Sequence, residues 1–441
     1  MASTYLTKTF ASSGTSDKIA TISLWCKRAV TGAENSIITA GASLRDLIRF
    51  ETSGALRVRL SNGSADLITN RLFRDTSAFY HIVISFKTDD ATSSNRIKLY
   101  VNGVQETSFS TSTYPSINQT LKLGTANPNH IGNDSEQTNP YFNGSMAHFH
   151  FIDGTAYDAS TFGETDSTSG IWKPKTSPSV TYGSNGFFLK FESGAMGTDS
   201  SGNGNNFTVS GNLTQNVDTP SNNFSTLNPL VSRKGTLTNG NLTHEGSGAT
   251  APNNVISSLG VTSGKFYIEA KIITANNYNG FGVVTEKNPY VNSGTDYLSN
   301  SNDALMYVYS DIYRGGGSLS GTYATLATND IVQIAIDADN KFLYFGVNGT
   351  WQNSSDPTSG ATGTGALNMT TYLGSDVTYF VGAETGGASN TRKIEFNFGQ
   401  GYFGTTAVAS ANADDGGLGI MEYDVPANYR VLCTKNIKDY G

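Results

Sequence analysis

Charge is scarce in this chain. Asp, Glu, Lys and Arg together make up 15% of 441 residues, with a formal net charge of −7. No basic stripe occurs, which argues against nucleic acid as a partner, because displacing phosphate counterions needs clustered Lys and Arg. Cysteine is limited to Cys26 and Cys433. They fall in different halves of the chain, so no disulfide framework is expected and both read as small buried apolar residues. No apolar run is long enough to span a bilayer, which argues against membrane insertion. The first residues, Met-Ala-Ser-Thr-Tyr-Leu-Thr-Lys, lack the basic region and apolar core of a secretory signal, so export by that route is not expected. Helix-forming stretches are nearly absent. What the chain has instead is 48 glycines, 11% aromatic residues and 37% hydrophobic residues. That is the composition of many short strands joined by Ser, Thr, Asn and Gly turns.

One strand-and-turn pattern is written twice. Phe79 to Gly103 ends in Lys98-Leu-Tyr-Val-Asn-Gly103, and Ile331 to Gly349 ends in Phe342-Leu-Tyr-Phe-Gly-Val-Asn-Gly349. In each copy an apolar run leads to a polar turn carrying Asp89 and Asp90, or Asp337 and Asp339. A second alternating strand then closes on Asn-Gly, which takes the positive φ of a tight turn. The expected fold is all-β: two tandem antiparallel β-sandwiches over residues 1–215 and 246–441. Residues 216–245, broken by Pro220 and Pro229, read as a linker. Residues 153–186 should wrap the surface of the first sandwich as a long loop, and a short helix is allowed near Ala407.

Several segments resemble known proteins. Tyr5-Leu-Thr-Lys-Thr9, Thr21-Ile-Ser-Leu-Trp-Cys-Lys-Arg28, Arg96-Ile-Lys-Leu-Tyr-Val-Asn-Gly103 and Phe142-Asn-Gly-Ser-Met-Ala-His-Phe-His-Phe-Ile-Asp-Gly154 resemble the concanavalin A-like, laminin-G-type jelly roll of tail and virion proteins of marine bacteriophages. Ser263-Gly-Lys-Phe-Tyr-Ile-Glu269, Tyr344-Phe-Gly-Val-Asn-Gly349 and Glu395-Phe-Asn-Phe-Gly-Gln400 resemble a SPRY-type sandwich. The resemblance implies a structural protein located on the virion and assembled in the host cytoplasm. Its partners would be other virion proteins and a host cell-surface glycan or protein, and it would act as a homo-oligomer. Attachment, in a tail-fibre or receptor-binding role, is the first reading. Capsid decoration, bracing neighbouring virion proteins, is the alternative.

No Glu-x-Asp-x-Glu run, Gly-x-Ser-x-Gly turn, His-Glu-x-x-His helix or phosphate loop occurs, so the chain is not expected to be an enzyme. A polysaccharide depolymerase would need a clustered carboxylate pair. Flat aromatic rings among Asn, Asp and Gly suit sugar recognition, because a ring packs on the apolar face of a pyranose. The candidate ligand-binding residues are Asn276, Asn277, Tyr278, Tyr290, Tyr297, Tyr313, Arg314, Tyr323 and Trp351, with Asn133, Asp134 and Tyr141 in the first half. Trp172 is expected to pin the long loop. Asp199, Ser201, Asn203 and Asn205 place oxygens at alternate positions, as a calcium loop opens. The acidic twelfth ligand is missing, since Ser210 stands there; Glu192 or Asp218 would have to supply it, and an Asx-turn explains the pattern equally. No cofactor is expected beyond this candidate structural calcium. His148 and His150 read as surface histidines on one face of a strand.

Overall fold

The structure, a computed structural model, describes residues 4–61, 63–134, 141–232, 234–246, 252–275, 278–289, 296–386 and 392–441. The chain divides into two compact units, residues 1–215 with 219–221 and residues 216–218 with 222–441. Each is a sandwich of antiparallel sheets, as expected.

In the first unit the larger sheet runs Phe109–Thr113, Ala65–Leu72, Ala55–Leu60, Asp46–Phe50, Asn35–Ala40, Pro128–Ile131, Tyr5–Thr9, Thr208–Ser210. The smaller runs Phe187–Leu189, Gly144–Asp153, Ile19–Arg28, Tyr80–Lys87, Ile97–Val101, Val104–Glu106. Alternation decides which side chains meet between them: Ile82, Ile84 and Phe86 join Ile22, Leu24, Ile48 and Val58 in the core, while Val83 points to the outer face.

That outer face is covered by residues 154–186, where the expected surface segment carries the short hairpin Gly163–Thr165 and Trp172–Pro174. Val83, Ile152, Ala159 and Phe162 form a second apolar cluster there, closed by Trp172 and Tyr182. Trp172 Nε1 donates to His81 Nδ1 at 2.9 Å, and His81 Nε2 lies 2.9 Å from Ser23 Oγ. The indole can only donate, so the neutral imidazole carries its proton on Nε2 and Ser23 accepts it. His150 Nδ1 lies 2.8 Å from the Tyr182 hydroxyl, and its ring stacks on Phe188 at 4.0 Å.

The expectation of two surface histidines therefore fails at His150, which is buried beneath the cover. The register shifts between Ala147 and His150, and His148 occupies the bulge with φ of 50°. Burial pushes His81 and His150 down to about 3. Between that value and the ordinary 6.5 the unfolded chain binds more protons than the folded one. The stability these histidines contribute is whole above pH 6.5 and is lost as pH falls. Chemical denaturation of wild type and His81→Gln across pH 7 to 5 should show the wild type losing about 2 kcal/mol relative to the variant.

In the second unit the larger sheet runs Thr236–Thr238, Thr243–Gly246, Arg392–Asn397, Lys265–Ile272, Ile331–Asp337, Phe342–Val347, Thr350–Trp351. The smaller runs Asn253–Val261, Tyr379–Thr385, Gly280–Thr285, Ala304–Val308, Asp311–Arg314, Gly317–Leu319. Between them lies a core that includes Phe266, Phe281, Val332, Phe345, Val381 and Phe396. The outer face of the larger sheet is again covered, here by Met421, Tyr429 and Val431 over Tyr267, Ala335 and Tyr344. Glu269 holds this cover: Oε1 accepts from Tyr423 N at 2.8 Å and the Tyr267 hydroxyl at 2.9 Å, and Oε2 accepts from Glu422 N at 2.9 Å. Near Ala407, where a helix was allowed, Thr406–Ala407 pairs with Tyr402–Phe403 instead.

Residues 216–245 are not a spacer. Thr236–Thr238 and Thr243–Gly246 join the larger sheet, Leu227 and Leu242 enter the core, and Phe224 joins the covered cluster. Single apolar anchors in a polar background have no period to read. Leu227→Ala should cost about 2–5 kcal/mol in urea unfolding, as a core truncation does; a spacer residue would cost nothing measurable.

The repeated Asn-Gly turns are the same object. Asn102 and Asn348 have φ of 48° and 50°, and Gly103 and Gly349 both have 83°. Asn102 Oδ1 accepts from His81 N at 2.8 Å, and Asn348 Oδ1 accepts from Ile331 N at 2.9 Å. An aromatic ring of each cover lies against the turn glycine: a Cβ on Gly103 would stand 2.7 Å from Trp172, and one on Gly349 would stand 3.1 Å from Tyr423.

Candidate functional site

One end of the second sandwich gathers aromatic and charged side chains. Antiparallel pairing sets Gly280 opposite Glu384, and a Cβ on Gly280 would stand 2.7 Å from Glu384 Oε1. The missing side chain leaves room for the carboxyl over the backbone. Glu384 Oε2 accepts from Ser299 N at 2.9 Å, and burial pushes this carboxyl up to about 7. Asp296 Oδ1 accepts from Tyr297 N at 2.8 Å and also from Asn300, which shapes the turn that leads into Leu298–Asn300.

Tyr297 presses on Gly386, where a Cβ could not fit. Burial, and then the neighbouring Glu384 carboxyl, raise its hydroxyl above the usual range. On its other side stands Tyr278, with ring centroids 6.1 Å apart and planes at 22°. Tyr278 is 50% exposed. The guanidinium carbon of Arg392, at the start of its strand, lies 5.6 Å from the Tyr278 ring centroid. A stacked aromatic pair beside a cation can bind a flat apolar face and a polar or anionic group together.

Of the sequence candidates, Tyr278 and Tyr297 are brought together here. Asn276, Asn277 and Tyr290 lie outside the described residues. Tyr313 packs against the Ile256, Val284 and Met306 cluster, and Arg314 Nε donates to Tyr372 O at 2.7 Å. Tyr323 is half taken into the main core, 5.5 Å from Tyr307. Trp351 packs on the covered cluster, 6.5 Å from Tyr267. Tyr323 and Trp351 are thus partly taken up in packing.

In the first unit, Asn133 and Asp134 are buried rather than displayed. Asp134 Oδ1 pairs with Arg45 Nε at 2.9 Å, and the Asn133 carbonyl accepts from Thr39 Oγ1 at 3.1 Å. Tyr141 lies 6.2 Å from the Tyr5 ring. Sequence reasoning missed Arg392 and Glu384. Both sit at strand ends far from Tyr278 in the chain, and only the pairing of those strands reveals them.

The Asp199 loop is folded around its own carboxylate. Oδ1 accepts from Phe188 N at 2.9 Å and Ser201 N at 2.8 Å; Oδ2 accepts from Ser201 Oγ and Asn205 N, both at 2.8 Å. Asn203 Nδ2 and Asn205 Nδ2 donate to the Gly186 carbonyl at 2.9 and 3.0 Å. These are the bonds of a turn that reverses the chain, and they engage both oxygens of Asp199. Glu192 lies 3.9 Å from Lys190, and Asp218 accepts from Phe224 N in the other unit. Among the described residues no three His, Cys, Asp or Glu side chains gather in a metal-holding group. Asp199→Asn should lower stability by about 1–3 kcal/mol, and calorimetric melting should show the same loss in calcium chloride and in EDTA.

The family described as the concanavalin A-like lectin/glucanases superfamily matches residues 3–159. Among solved structures, the SPRY domain of human HERC1 is similar at 16% identity and a TM-score of 0.30, over 38% of this chain and 96% of that one. A heptameric SAP-like pentraxin from Limulus polyphemus is similar at 13% identity and a TM-score of 0.27, over 35% of this chain and 71% of that one. No curated protein matches the chain. The chain is thus all-β, built as antiparallel β-sandwiches, with a concanavalin A-like match in its first part.

Proposed function

We propose that this chain is a non-catalytic binding protein of a marine bacteriophage particle, whose second sandwich holds host surface glycan or protein at the Tyr278 end. The observation that carries the reading is the half-exposed Tyr278 ring backed by Tyr297 and set beside Arg392. The concanavalin A-like match supports a binding role, and the sequence resemblance described above supports the particle. The reading as non-catalytic rests on the motifs missing from the sequence; the buried acids Asp46, Asp153, Glu269 and Asp414 each accept backbone N–H groups. Weak contacts at single sites would be multiplied by copy number on the particle.

Immunogold labelling of intact particles with antibody to this chain, together with an adsorption assay, tests the reading. Labelling at the tail with blocked adsorption is the expected result. Labelling over the head with adsorption intact would leave a capsid decoration protein. Purified protein should bind cells of a susceptible strain, and Tyr278→Ala should weaken that binding about tenfold, as the loss of one stacking contact does.

A further inference from the structure

Resting on that reading, we infer that the Tyr278 end takes an acidic sugar, whose carboxylate or sulfate ester meets the Arg392 guanidinium while its ring lies on Tyr278. Arg392 is 8% exposed, and its Nε is buried without a hydrogen-bond partner. Arg45 and Arg49 are buried to the same degree and spend their guanidiniums on Asp134, Glu34 and Glu51. Arg392 has no such carboxylate among the described residues. Its contact is the Tyr278 face, at 5.6 Å.

An ion removed from water without a counter-charge is costly, and a planar guanidinium is suited to a carboxylate or sulfate that presents two oxygens. Asp296 and Glu384, the two acids beside Tyr297, are otherwise engaged. Asp296 accepts from Tyr297 N and Asn300, and Glu384 accepts from Ser299 N. The nearest basic side chain on the same strand, Lys393, pairs with Glu395 at 3.3 Å. One desolvated cation therefore stands beside one half-exposed ring, which matches a pyranose bearing a single anionic substituent better than an extended polyanion.

The test is isothermal titration of the full chain with four probes: a galacturonate trisaccharide, a sulfated galactose trisaccharide, the neutral galactose trisaccharide and a Glu-rich peptide. The expected result is binding of one or both acidic sugars at least tenfold tighter than the neutral one, weakening as salt rises. Arg392→Gln should abolish the preference and Arg392→Lys should retain part of it. Preference between the two acidic sugars identifies the anion. Equal binding of neutral and acidic sugars, unchanged by Arg392→Gln but lost in Tyr278→Ala, would overturn the anion assignment and leave the glycan reading standing. Binding of the peptide alone would overturn the sugar, and no binding of any probe, with cell binding indifferent to Tyr278→Ala, would overturn both. The salt dependence of the wild type decides the matter even if Arg392→Gln fails to fold.

Discussion

The structure depends on buried carboxylates that accept backbone N–H groups from loops, some near in the chain and some distant. A chain of many short strands has many loop amides with no ladder partner, and each one buried without an acceptor is costly. A carboxylate offers several acceptor sites on two oxygens. Asp46 takes Ser61, Lys122 and Leu123; Asp153 takes Thr15, Ser16 and Asn185; Asp414 takes Gly416, Leu418 and Val431. Burial opposes these bonds, pushing Asp46 up to about 6 and Glu269 up to about 7. The low overall charge of the chain is thus partly spent inside it, where each acid fixes loops rather than solvating a surface.

The same economy shapes the Tyr278 end. Asp296 and Glu384 order the turn that carries Tyr297, and small residues at Gly280 and Gly386 let the carboxyl and the ring close on the backbone. Tyr278 stands half exposed on that frame, beside the Arg392 guanidinium. A ligand platform here needs no separate scaffold, because the structural hydrogen bonds that finish the sandwich also aim the ring.

Much of the fold was legible in the sequence because sheets write themselves with period two. The strand Tyr80–Lys87, the Asn-Gly turns and both sandwiches follow from alternation and turn chemistry, and the expectation that Trp172 pins the long loop rests on its place beside Pro174. What was hidden lacks a local signature. The bulge at His148 turns on a single residue, and the folding of Leu227 into the core depends on strands that arrive later in the chain. The candidate site was half visible for the same reason. Aromatic loops can be seen in a sequence, but the choice between Tyr278, which is displayed, and Tyr323 or Trp351, which are packed, is made by neighbours far along the chain.

The paired Asn-Gly turns give the two covers the same kind of seat. Trp172 lies on Gly103 and Tyr423 on Gly349, each seated where a side chain would otherwise stand. Such a seat exists only after the hairpin has closed with its glycine at positive φ. Each cover therefore fits only the glycine turn of its own hairpin, and a side chain at either glycine would press on the covering ring.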